Sequence, residues 1–148
     1  PFDKTSLFSL LSPKDIEITK VYNLYEIGGL KMDIIFGIKG NILIAQLLGE
    51  VDHHCSAKAR ADIDETMRGY GSKDLIIDLS RVTFMDSSGI GIILGRYRKL
   101  SASGGRMAIA GGSASVKNIL SMAGIFTIID YTDSVDEAIE YLMRKEVS

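Results

Sequence analysis

The sequence predicts a single α/β domain built on a mostly parallel sheet with about four helices. Apolar runs of strand length alternate with helical patterns along the chain, and this alternation requires crossover connections, which join parallel strands. Glycines or helix-capping residues bound the helical patterns. The chain has 148 residues, of which 46% are hydrophobic, enough for one substantial core.

The first half of the pattern contains two strands and two helices. Residues 41–48 form an apolar run, and residues from about 53 to 68 lack β-branched clusters, which favours a helix ending at the glycines of 69–71. A second buried strand is predicted over residues 75–79. The helix that follows extends to about residue 100, since its apolar residues form one stripe: Ile90, Ile93, Leu94, Tyr97 and Leu100.

The second half repeats the order of strand followed by helix, after a turn at Gly104 and Gly105. Residues 106–110 form a third core strand, and Ser113 is predicted to cap a helix that ends at Gly124. A short strand over residues 128–131 follows. Ser134 and Glu137 then have the spacing of a capping box, which predicts a final helix.

One motif lies between the second strand and its helix: Phe-Met-Asp-Ser-Ser-Gly-Ile-Gly, residues 84–91. Serine at such a position usually caps the helix. The same position also suits a phosphate, because a helix start offers unpaired N–H groups and partial positive charge. Position alone favours capping, with Ser88 better placed to cap than Ser87, and leaves modification open.

Three segments in order resemble the anti-sigma factor antagonists of the sporulation type, small regulators of the STAS domain superfamily. They are residues 49–54, 84–97 and 116–126. The resemblance covers residues 32–148 and implies one antiparallel strand near residues 34–38. The expected fold is therefore a single STAS-type domain whose mixed, mostly parallel sheet has about four to five strands.

The resemblance also implies a function. The unphosphorylated form would bind an anti-sigma factor that is also a serine kinase, with ATP or ADP held by that partner, and so free the sigma factor for sporulation transcription. Phosphorylation of Ser87 would end the interaction, and a serine phosphatase would reverse it. The implied partner-binding residues surround the acceptor: Asp52, Asp86, Ser87, Ser88, Gly89 and Ile90.

The sequence does not match the residue spacing that known catalytic and cofactor-binding motifs require. Gly89, Gly91 and Gly95 miss the dinucleotide fingerprint by one residue, so close packing of a helix on the sheet is the favoured interpretation. No Walker-type phosphate loop or G-x-S-x-G elbow occurs. No histidine can be placed beside Ser87 to activate it. The sequence therefore predicts no enzyme and no cofactor.

Asp52, His53, His54 and Cys55 spell the signature of the membrane palmitoyltransferases, which resemble this chain in nothing else. As a metal site the cluster is poor, because helical neighbours point about 100° apart and zinc needs converging ligands. No metal site is predicted, and Asp52 is expected to cap the first helix.

Composition points to a cytoplasmic protein. A formal charge of −2 gives no bulk attraction to nucleic acid or to a membrane surface. The sequence shows no spanning apolar run and no secretory signal. Its single cysteine, Cys55, excludes an internal disulfide and fits a reducing compartment.

Residues 1–31 precede the family-like segments and are predicted to be an N-terminal extension or a non-native leader. Ser12 before Pro13 suits a helix start, and the glycines at 28 and 29 suit a stop. The residues between them fit either a helix or a strand. Two other functions stay open: a STAS regulator of a stress-response pathway, and a small nucleotide-binding or hydrolytic enzyme.

Overall fold

The computed structural model describes residues 16–27 and 30–147, and only the backbone of residues 20–27, 30–31 and 145–147 within those ranges. The predicted helix start at Ser12 and the glycine stop at 28 and 29 lie outside the described residues. Among the described residues, no helix is both long enough and apolar enough to cross a membrane.

The described part of the chain contains six strands: β1 Glu17–Ile27, β2 Leu30–Lys39, β3 Ile42–Val51, β4 Asp74–Met85, β5 Met107–Ala110 and β6 Asp130–Thr132. They form one mixed sheet whose spatial order is the chain order. The first two pairings, β1 with β2 and β2 with β3, are antiparallel, and the remaining three are parallel. The α/β class is confirmed, and the described sheet has six strands where about four to five were predicted.

Four described α-helices connect or follow the parallel strands. They are α1 Ser56–Tyr70, α2 Ser87–Ala102, α3 Ala114–Met122 and α4 Val135–Val147, with a 3₁₀ turn at Ile125–Thr127. The predicted Ser113 cap is confirmed, since its hydroxyl accepts from the N–H of Val116 at 3.2 Å. Ser134 likewise accepts from the N–H of Glu137 at 3.2 Å.

The helices divide the core into two layers, one on each face of the sheet. Helices α1, α2 and α3 cover one face, where Ile34 and Phe36 of β2 are fully buried. Helix α4 covers the other face, on which Ile35 lies. This division follows from the strand period, because successive side chains point to opposite faces.

Residues 17–27 form a strand, so the strand alternative is confirmed there and the helical alternative is wrong. The strand pairs with β2 along most of its length, and Ile16 and Ile18 are buried with the residues of the α4 face. Pairing with β2 satisfies those backbone N–H and C=O groups of this segment that point toward β2. The assignment of residues 1–31 as an extension stays a proposal. Residues 17–27, which lie within that range, belong to the same sheet as the rest of the domain.

Candidate functional site

The site lies at the carboxyl edge of the sheet, where β3 and β4 end side by side. Val51 pairs with Met85 at the last position of both strands, and the N–H of Asp86 donates to the Val51 carbonyl at 3.1 Å. The turn after β3 and the start of α2 are therefore held together. Carboxyl ends of parallel strands are a common location for binding sites in open α/β sheets.

Asp86 is the residue that caps α2. Its backbone is extended, with φ −105° and ψ −171°, and its Oδ1 accepts from the N–H of Ser88 at 2.8 Å. The prediction that Ser88 caps this helix is wrong. Ser87 and Ser88 occupy the first two helical positions, because the Asp86 carboxylate before them accepts from the otherwise unpaired N–H of Ser88.

Hydrogen bonds around Asp86 stabilise its ionised form. Partial burial acts to raise the pKa of this carboxyl group, but hydrogen bonds from the backbone and side chains of Ser88 and His53 outweigh it. The pKa therefore lies below its ordinary value. A negative charge at a helix start is also favoured by the helix dipole.

The two serines differ in their environment. Ser87 is exposed, whereas Ser88 is half-buried and its hydroxyl is engaged by Asp86. In the described part of the chain, no hydrogen bond holds the Ser87 hydroxyl. Of the two, Ser87 is the one that an approaching enzyme can reach without breaking a contact.

The residues after the serines pack toward the protein interior. Gly89 is buried, and a Cβ there would lie 2.5 Å from Cγ of Met85. Ile90 is half-buried and packs against the core. Gly91 and Gly95 have open space at the Cβ position, so the expectation of close packing holds for Gly89 and is wrong for these two.

The turn after β3 is organised by Asp52, which is itself buried. Its Oδ1 accepts from the N–H of His54 at 2.9 Å, which closes a tight turn rather than a helix. Helix α1 begins later, at Ser56, and Cys55 is the residue before it. The prediction that Asp52 caps α1 is therefore wrong, because its side chain is used within the preceding turn.

His53 lies between the serine motif and His54, whose own ring is paired with Asp52. Nδ1 of His53 lies 3.7 Å from Oδ2 of Asp86, and the centroids of the two imidazole rings are 3.9 Å apart. Within the described ranges, no group of three or more histidine, cysteine or carboxylate side chains is arranged to hold a metal ion. This cluster instead joins the β3 turn to the start of α2.

The environments of two further residues were not predicted from the sequence. Phe84, the first residue of the motif, is 51% exposed and gives this edge an apolar surface. Cys55 is buried, and its Sγ donates to the Asp52 carbonyl at 3.3 Å; burial raises the pKa of its thiol. Val82 and Met85 are buried while Thr83 and Phe84 are exposed, so the end of β4 departs from strict alternation and the sequence carries no signal for the exposure of Phe84.

Comparison with known proteins agrees with this architecture. A sequence model of the STAS domain matches residues 34–138. An anti-sigma F factor antagonist from Paenibacillus polymyxa is 38% identical over 101 residues, which span 68% of this chain and 86% of that protein.

Solved structures with a similar fold include SpoIIAA in an unphosphorylated and in a phosphorylated form. The anti-sigma factor antagonist SpoIIAA in its unphosphorylated form is similar with a TM-score of 0.66 and 29% identity, covering 74% of this chain and 96% of that one. The Bacillus cell fate determinant SpoIIAA in the phosphorylated form gives a TM-score of 0.60 and 28% identity, covering 74% and 98%.

Proposed function

This chain belongs to the STAS domain family as one of its anti-sigma factor antagonists, and from that membership we propose that it is a phosphorylation switch centred on Ser87. The unphosphorylated protein binds an anti-sigma factor that is also a serine kinase, with ATP or ADP bound to that partner. Binding releases a sigma factor for sporulation transcription. Phosphorylation of Ser87 ends the interaction, and a serine phosphatase restores it.

The observation that carries the proposal is the environment of Ser87. Its side chain is exposed at the first position of α2, so a kinase can reach it without unfolding the domain. The helix start favours the negative charge of a phosphate, whereas the adjacent ionised Asp86 opposes it. The added charge is then tolerated by the domain and acts on the partner.

The proposed partner surface consists of the residues around Ser87. Ser87 and the half-buried Ser88 and Ile90 offer contact atoms, and the exposed Phe84 extends the surface with apolar area that a partner could cover. Asp52 and Gly89 are buried and support the surface from below. Asp86 connects the exposed residues to the buried ones, because its side chain accepts from the N–H of Ser88 and its carbonyl accepts from the N–H of Gly89.

Catalysis is assigned to the partner and not to this chain. The proposed protein is cytoplasmic. It uses no cofactor and makes no direct contact with nucleic acid or membrane. The support for this assignment is that the similar proteins are named as antagonists of anti-sigma factors and that the two histidines are paired with Asp86 and Asp52.

The test is reconstitution with the cognate anti-sigma factor and ATP, using Ser87→Ala and Ser88→Ala as a matched pair. The Ser87→Ala protein should bind constitutively and accept no phosphate at this motif. The Ser88→Ala protein should still be phosphorylated and then released. Phosphorylation of Ser87→Ala at the usual rate, or release of that variant by ATP, would refute the proposal.

A further inference from the structure

A cavity lies at the C-terminal end of α2, the end opposite Ser87. It has a volume of about 360 Å³ and is bounded by the C-terminal halves of α1 and α2 and by the start of β4. Lys99 in its wall comes twelve positions after Ser87 in the same helix, a distance of roughly 18 Å at about 1.5 Å per residue. The cavity is therefore separate from the phosphorylation motif.

The floor of this cavity is apolar. Ile63 and Leu75 are fully buried, Leu100 is buried, and Met67 is half-buried. These side chains belong to α1, α2 and β4, so the floor is part of the main core and is rigidly supported. A volume of this size lies within the range of small-molecule sites, which are mostly apolar with a few convergent polar groups.

The rim is strongly cationic. Arg68, Lys73, Arg96 and Lys99 line it together with a single carboxylate, Asp64, which leaves a formal excess of three positive charges. Asp64 is already engaged by Nε of Arg96 at 2.8 Å and by Nζ of Lys99 at 2.6 Å. Arg68 and Lys73 are exposed and have no carboxylate partner among the described residues.

The carbonyl ends of α1 and α2 would repel an anion if they were free. They are instead occupied by local donors. The N–H of Ser72 donates to the Met67 carbonyl at 3.1 Å, and the Ser103 hydroxyl donates to the Leu100 carbonyl at 3.1 Å. With these carbonyls paired, the formal excess of positive charge at the rim favours an anion.

We propose that this cavity binds a small organic anion whose apolar body is aromatic or branched and whose charged group is a carboxylate. The body lies on the floor formed by Ile63, Leu75 and Leu100. The carboxylate lies at the rim between the exposed side chains of Arg68 and Lys73. The site is independent of the phosphorylation of Ser87.

The experiment is an amide NMR titration of the full chain with 2-naphthoate and, as a matched neutral probe, 2-naphthamide. The naphthoate should shift amides of residues 63–75 and 96–103, and the naphthamide should bind at least about tenfold more weakly, because it lacks the charge that the rim attracts. Lys73→Gln and Arg68→Gln should each weaken naphthoate binding several-fold. Arg98→Gln removes the same charge from an exposed position of α2 outside the cavity and should leave binding unchanged.

Three results would overturn the proposal. Equal affinity for the two probes would mean that the rim does not select an anion. An equal loss with Arg98→Gln would mean that only net charge matters. Shifts confined to other regions, or no shifts up to the solubility limit of naphthoate, would mean that the cavity is not a binding site. Retained amide dispersion in each variant verifies that the fold is intact.

Discussion

Replacing Asp86 by alanine should destabilise the domain through loss of the α2 cap. The hydrogen bond from the Ser88 N–H to Oδ1 is 2.8 Å long, and removing a side-chain N-cap typically costs about 0.5–2 kcal/mol. For a chain of this size, 1 kcal/mol corresponds to about 2–4 °C in Tm, so the expected loss is roughly 1–8 °C. Asp86→Asn keeps a capping oxygen and should lose less, about 0.3–1 kcal/mol from the missing charge at the helix start.

The pH dependence provides an independent check on the same residue. Because the pKa of Asp86 in the folded chain is below its ordinary value of 3.8, the ionised carboxylate stabilises the fold above pH 3.8. That contribution is lost as the pH falls through the lower folded value. Asp86→Asn should therefore show a shallower loss of stability below pH 3.8 than the natural chain.

Urea unfolding of the natural chain, Asp86→Asn and Asp86→Ala measures both effects. The expected order of unfolding free energies at neutral pH is natural chain, then asparagine, then alanine. An alanine variant as stable as the natural chain would refute the role of Asp86 as the cap. An asparagine variant as unstable as alanine would show that charge, and not capping, carries the effect.

Three other predictions concern the motif and the sheet. After treatment with the cognate kinase, tandem mass spectrometry should place the phosphate on Ser87; a phosphate mainly on Ser88 would refute the assignment. A chain starting at residue 32 should be less stable to urea, because β2 loses its β1 partner, yet it should still bind the anti-sigma factor; a folded protein that no longer binds would contradict this. Gly89→Ala should cost about 1–3 kcal/mol by overpacking a neighbouring methionine, whereas Gly91→Ala faces open space and should gain up to about 1 kcal/mol; equal urea stabilities would contradict both.

The sequence predicted the parallel half of the fold because its strands and helices have strong local patterns. The caps at Ser113 and Ser134 followed from spacing alone, since each side chain bonds a backbone N–H three residues later. Strand β1 could not be assigned, because β-branched and aromatic residues at mixed spacing fit both a strand and a helix. Only pairing with β2 decides between them.

The serine motif was located from the sequence, but its internal arrangement was not. Asp86, Ser87 and Ser88 are all acceptable cap residues, and their order does not say which one begins the helix. The structure decides this through the Asp86 contact with Ser88. The contact between His53 and Asp86 also could not be predicted, because it depends on the register between β3 and β4.

The central claim is that phosphorylation of Ser87 weakens partner binding at the surface without refolding the domain. The most direct test measures partner affinity and amide NMR spectra for the unmodified and the Ser87-phosphorylated forms. A phosphoserine adds about 1.5 to 2 negative charges at neutral pH, and burying an unpaired charge in an interface costs on the order of 2–5 kcal/mol. Binding should therefore weaken by roughly 30-fold to several-thousand-fold, with shift changes confined to residues around 52–54 and 84–91. Unchanged affinity, or shifts throughout the sheet, would contradict a switch that acts at the surface without refolding the domain.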